Sequence, residues 1–115
     1  MKVRNYNKVE KRDAFRREKS VGVGVRVAIS VEDGANQLAR RVIELEIGGF
    51  TSMHTEEHEQ AIFVTKGSGI VTDGKKECKL AADDVLFIPA NQEHQIKNTG
   101  DIRLILISTI PQRPE

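Results

Sequence analysis

From Val21 the chain alternates: Val21, Val23, Val25 and Val27 are separated by Gly22, Gly24, Arg26 and Ala28. A period of two sends successive side chains to opposite faces, so this run predicts a half-buried strand. Glu32-Asp33-Gly34 then reads as a turn. Residues 37–47 alternate as well, with Ala39, Arg41, Ile43, Leu45 and Ile47 on one side and Leu38, Arg40, Val42, Glu44 and Glu46 on the other. Gly48-Gly49 is expected to break that run. A third strand is predicted over 61–66, stopped by Gly67-Ser68-Gly69. Residues 70–72 and 77–80 form a hairpin around Asp73-Gly74, because Asp and Gly tolerate positive φ. Strands over 85–88, 94–98 and 102–110 complete the chain, and Pro111 and Pro114 are expected to end regular structure.

No run of ten residues has a clean 3.6 period, and short strands with frequent turns predict an all-β sandwich or barrel. Several strands are apolar on both faces: Ile62 and Val64 oppose Ala61 and Phe63, and Leu104 and Leu106 oppose Ile105 and Ile107. One face lines the interior. The other needs a second layer or a second copy of the chain, and at 115 residues a homodimer is the expectation. That length suits one core, so residues 21–115 read as a single barrel domain and 1–20 as a charged arm or edge strand. The arm's basic residues, Arg16-Arg17 among them, are interleaved with Glu10, Asp13 and Glu18, which favours a solvated arm over a basic patch.

Charge and composition narrow the function. A formal net charge of +1 argues against a nucleic-acid partner. The apolar stretches 85–90 and 104–107 are too short to span a bilayer, and the N-terminus lacks the apolar segment of a signal peptide. The single cysteine, Cys78, forms no internal disulfide, so a cytoplasmic protein is expected. Cys78 alternates with Leu80 and reads as a small core residue.

All three histidines fall in two windows, His54 with His58, and His94. His54 and Glu56 are two apart, so in a strand they share a face roughly 7 Å apart at Cβ, close enough to converge on one ion at about 2.1 Å. Gln60 has the same parity, and His94 comes from another strand. Two imidazoles and a carboxylate form a facial set with open positions, suited to Fe(II) or Mn(II).

On these residues the sequence resembles the cupin family, specifically its small single-domain members. The family's first motif is Gly, five residues, His, one residue, His, three or four residues, Glu, six residues, Gly; Gly48, His54, Glu56, Gln60 and Gly67 fall on it without a gap. The second is Gly, five residues, Pro, one residue, Gly, two residues, His, three residues, Asn; Asp83, Pro89, Asn91, His94 and Asn98 fall on it. The resemblance implies a double-stranded β-helix, the jelly-roll barrel, with one divalent transition metal per chain held by His54, Glu56, Gln60 and His94.

The departures bear on function. Glu56 stands at the family's second histidine and Gln60 at its glutamate. The set still presents one negative charge, and a weak amide ligand favours Mn or Fe over Zn or Ni. His58, four residues after His54, is a rival for the place of Glu56; with His54, Gln60 and His94 it would make a neutral set suited to Zn or Ni. Asp83 and Asn91 replace motif glycines at turns, where both residue types tolerate unusual backbone angles, and Asn98 is expected to tie down a strand end.

The implied activity is that of a dioxygenase or decarboxylase acting on a small organic acid, phenol or diketone, with Glu56, or Glu57 if it turns inward, as a base. Arg41 shares parity with Ile43 and Leu45 and is a candidate for a substrate carboxylate, with Met53 and Phe63 at the pocket mouth. The alternative is a non-catalytic module that binds a sugar or a small acid, since one barrel hosts many functions.

Overall fold

A computed structural model describes residues 1–13 and 19–112. The strands are β1 (Arg12–Asp13), β2 (Val21–Ile29), β3 (Leu38–Phe50), β4 (Gln60–Lys66), β5 (Ser68–Thr72), β6 (Glu77–Ala81), β7 (Val85–Ile88), β8 (Gln95–Asn98) and β9 (Leu104–Pro111). They form one curled sheet in the order β6-β5-β8-β3-β9-β4-β7, with β2 along the other edge of β3 and β1 on β2. Every pairing is antiparallel. The curl is sealed where Asp83 N donates to Val64 O and Val64 N to Asp84 O, which ties the β6–β7 turn to β4. No helix among the described residues is long and apolar enough to cross a membrane.

The inward parities build the core. Leu45, Val64, Leu104 and Leu106 are fully buried, and Ile62, Ile88 and Ile96 close around them. Cys78 does not join them: it is exposed, because only Leu80 of β6 reaches the interior. Pro111 is the last residue of β9, and Pro114 and the Arg16-Arg17 pair lie outside the described residues.

Gly48-Gly49 bends β3 rather than ending it. Val21 pairs with Phe50 whereas Val23 pairs with Leu45, so extra residues of β3 bulge out around Gly48 at φ 79°. The bend lets one strand serve two neighbours, β9 along residues 38–45 and β8 at Phe50. Gly67, Asp83 and Asn91 also have positive φ, 88°, 78° and 66°. All four motif glycine positions are therefore left-handed, and Asp and Asn carry that conformation at tolerable cost.

Part of the N-terminal arm is an edge strand. Arg12 and Asp13 pair with Val25 and Gly24, and Arg26 donates to the carbonyls of Asn7 and Val9. Beneath it lies Glu44, polar in sequence yet only 2% exposed. Burial alone would raise its carboxyl. Hydrogen bonds and charge from Arg26 (2.9 Å) and Lys11 (3.3 Å) outweigh that and hold it below the usual range, and Arg103 adds a third contact at 3.3 Å.

Asn98 does tie the β8–β9 turn. Its Nδ2 donates to the carbonyls of Leu45, Glu46 and Ile102 at 2.9–3.1 Å, and its Oδ1 accepts from Gly100 N. Asn98→Ala leaves these buried backbone groups without partners, and a loss of about 2 to 3 kcal/mol in urea unfolding is the expected result.

Candidate functional site

Past the bend, Thr51 N donates to Ile96 O and Ile96 N to the Thr51 hydroxyl, both at 2.9 Å. These bonds carry the chain alongside β8, so that His54 and His94 exchange backbone hydrogen bonds at 3.0 and 2.9 Å across an isolated bridge. The two imidazoles end with ring centroids 4.6 Å apart, tilted by 53°. Histidines forty residues apart in sequence thus become direct neighbours.

Each ring is oriented by a backbone carbonyl. His54 Nδ1 lies 2.8 Å from Ser52 O and His94 Nδ1 lies 2.9 Å from Gln92 O. A carbonyl only accepts, so Nδ1 carries a hydrogen in each ring; Nε2 then bears a lone pair when the ring is neutral and a second hydrogen when it is protonated. Backbone carbonyls that accept from one ring nitrogen prepare metal-binding histidines in this way.

Glu56 stands between two imidazoles. Its Oε1 is 3.2 Å from His54 Nε2, and its Oε2 is 3.2 Å from His58 Nε2. His58 Nδ1 is in turn 3.1 Å from Glu59 O, so it too donates away from Glu56. The hydrogen bond with His54, partly offset by burial, together with the positive charge of Arg41, His58 and His54, holds the Glu56 carboxyl at about 2.

His54, Glu56, Gln60 and His94 line one cavity of about 100 Å³, with Arg41 and apolar walls from Val23, Val25, Ile43 and Ile96. His58 is not among its lining residues and reaches the site through Glu56. Gln60 is committed elsewhere: its Oε1 accepts from Ser108 Oγ at 2.6 Å and from Arg41 Nη2 at 3.2 Å. Arginine can only donate, which fixes the amide with its oxygen toward Arg41 and both lone pairs in use.

Met53 and Phe63 do not line this cavity. Alternation along β4 turns Gln60 and Ile62 inward and Phe63 outward, where it joins Val85, Phe87 and Ile107 around a groove of about 440 Å³ on the outer face. Met53 is exposed toward the Gly74 turn, and Glu57 is exposed as well. Ser108 escaped sequence reading. The available signal was a hydroxyl at the inward parity of Leu104 and Leu106.

In kind, the donors fit a divalent cation. A carboxylate oxygen facing a nitrogen lone pair at 3.2 Å is repulsive unless a proton or a metal ion lies between them, and Glu56 has such a nitrogen on each side. Among the described residues no three His, Cys, Asp or Glu side chains are arranged to hold a metal ion as they stand.

The fold and site define a small barrel with a histidine-carboxylate cavity, and the sequence comparison agrees: the pattern of the cupin domain matches residues 41–110. The chain belongs to the cupin family. Among solved structures it is similar to the polyketide cyclase RemF from Streptomyces resistomycificus, with a TM-score of 0.87 and 24% identity over 100% of this chain and 82% of that one. A predicted oxalate decarboxylase from Thermotoga maritima superposes with a TM-score of 0.85 and 22% identity, covering 97% of this chain and 100% of that one. A cupin-like protein from the same organism reaches 27% identity at a TM-score of 0.71, covering 88% and 82%. No curated protein sequence matches the chain.

Proposed function

We propose that this chain is a metal-dependent cupin that acts on a small organic acid by decarboxylase or oxygenase chemistry. The observation that carries the reading is the convergence of His54, His94 and Glu56 on one cavity, with His54 Nε2 3.2 Å from Glu56 Oε1 and the Nδ1 of each histidine directed to a backbone carbonyl. His54, His94 and Glu56 would hold the ion, with Mn(II) or Fe(II) suited to two nitrogens and one carboxylate. When bound, such an ion polarises a carboxylate or carbonyl oxygen.

The chain's own groups do the rest. Arg41 supplies a fixed positive charge beside the donors, and Val23, Val25, Ile43 and Ile96 exclude water around them. Glu56, whose carboxyl is held low by its hydrogen bond with His54 and by the charge of Arg41, would supply the anionic ligand. The cavity of about 100 Å³ admits a ligand of only a few heavy atoms, and the likeness to a predicted oxalate decarboxylase is in keeping with that size.

Protein purified without chelator should carry close to one equivalent of transition metal per chain by elemental analysis. A metal-free preparation whose thermal stability does not rise on adding Mn(II) or Fe(II) overturns the reading in favour of a non-catalytic binding module. The proposal retains a cytoplasmic homodimer, supported by the outward apolar face of Phe63, Val85 and Phe87, which are 40%, 80% and 58% exposed. Sedimentation velocity is expected to give a dimer for the wild type and a monomer for Phe87→Glu.

A further inference from the structure

We infer that the recess between β6 and β7, which adjoins the candidate site at His94, holds a flat apolar ring, so that the acid bound at the site is an aryl acid. This rests on the function proposed above for what binds the carboxylate, and it adds what the rest of the ligand is.

β6 and β7 are the two ends of the curled sheet. Among the described residues β6 pairs with β5 and β7 with β4, and the two do not pair with each other. Both adjoin one turn, where Asp84 N donates to Ala81 O at 3.1 Å. Strands that share a turn and join different neighbours diverge, and the ends far from this turn carry Cys78 and Ile88. There a cavity of about 220 Å³ opens, walled by Val71, Cys78, Leu86, Ile88 and Pro89, with His94 at its edge. Cys78 has the parity of Leu80, so its thiol faces this wedge and is exposed because the wedge is open.

The recess is apolar in kind. Val71 and Ile88 are buried and Leu86 is half-buried. Polar side chains around them are occupied locally: Thr72 Oγ1 accepts from Gly74 N, Asp73 Oδ1 accepts from Lys75 N and Lys76 N, and Gln92 Nε2 donates to Glu93 O. Lys76 and Glu93 stand exposed at the rim. What the recess offers a ligand is therefore apolar surface, and removing it from water favours binding.

Size and shape choose the occupant. An apolar cavity of about 150 Å³ holds benzene, so the 220 Å³ here takes a six-membered ring with a substituent. A wedge between two strands suits a flat group better than a branched one. His94 lines both this recess and the cavity of about 100 Å³ that holds His54 and Glu56. The smaller cavity takes the carboxylate head, and the larger takes the ring beyond it, which a two-carbon diacid would leave empty.

The test uses the full-length protein, metal-free and Mn(II)-loaded, with phenylacetate as probe and acetate as control. Cys78 is the one cysteine of the chain, so alkylation by iodoacetamide, read by intact mass, reports on the recess alone. Saturating phenylacetate should slow that alkylation at least tenfold in the loaded protein, and acetate should leave it unchanged. By calorimetry phenylacetate should bind roughly fiftyfold tighter than acetate, the gain from burying about 100 Å² of ring. In the metal-free protein the protection should persist at higher phenylacetate concentration, because the apolar walls hold without the ion. Cys78→Phe, which fills the recess from an exposed position, should reduce phenylacetate binding to the level of acetate while Mn(II) content stays that of wild type.

Alkylation indifferent to phenylacetate, or phenylacetate no tighter than acetate in a protein that takes up Mn(II), overturns the inference and leaves the proposed function standing. Full phenylacetate affinity in Cys78→Phe overturns it as well. A protein that takes up no metal, while phenylacetate still protects Cys78, defeats the proposed function and leaves the ring site standing.

Discussion

His94→Ala is expected to reduce divalent-metal affinity at least a hundredfold and to bring metal content near zero by elemental analysis. Two imidazoles and one carboxylate are the fewest ligands that define a face of the coordination sphere, and removing one leaves a pair with Arg41 nearby to repel the ion. Neither neighbour compensates, since Gln60 is bonded to Arg41 and Ser108, and His58 lies beyond Glu56. Glu56→Ala should follow His94→Ala closely. His58→Ala should cost only the orienting contact with Glu56, a several-fold loss; the reverse order of the two effects would make His58 the ligand.

Leu104→Ala should have the largest effect on stability, about 3 to 5 kcal/mol in chemical denaturation, or a fall in Tm of order 15 °C at about 4 °C per kcal/mol. Leu104 is fully buried at the start of β9, opposite Leu45. Gly69 abuts it so closely that a Cβ there would stand 2.9 Å from Leu104 Cδ2 and 2.2 Å from Lys97 O. Backbone on that side cannot collapse into a void without breaking the β5–β8 pairing, so the cavity remains open. A loss below about 1.5 kcal/mol would mean that the site relaxes more freely than these contacts allow.

Much of the barrel was legible because alternation is a local property. The period of two along residues 21–27 and 37–45, the Asp73-Gly74 hairpin and the strand over 85–88 each follow from side-chain direction or from φ at one or two residues. The shared parity of His54, Glu56 and Gln60 was legible for the same reason, whereas His94 joined them through the resemblance to the family's second motif, and all four line one cavity. Errors arose where burial depends on what covers a face. Cys78 shares its face with Leu80 but lies nearer the hairpin end of β6 and is exposed there, and the charged Glu44 is buried because Lys11, Arg26 and Arg103 close over it. Phe63 and Met53 have the right chemistry for a pocket mouth, yet β4 turns one away and the loop before it exposes the other.

The sequence by itself determined the strand order along the chain, the four left-handed positions of the two motifs and the donors available for an ion, because each depends on residue type and short spacing. Only the tertiary structure decided what those donors do. Backbone carbonyls at Ser52 and Gln92 choose the imidazole nitrogens, His58 stands behind Glu56, and Ser108, from a strand 48 residues after Gln60, takes up the amide oxygen. Hydrogen bonds at a few ångströms assign these roles, and the partners are brought that close by strand pairing between segments distant in the chain.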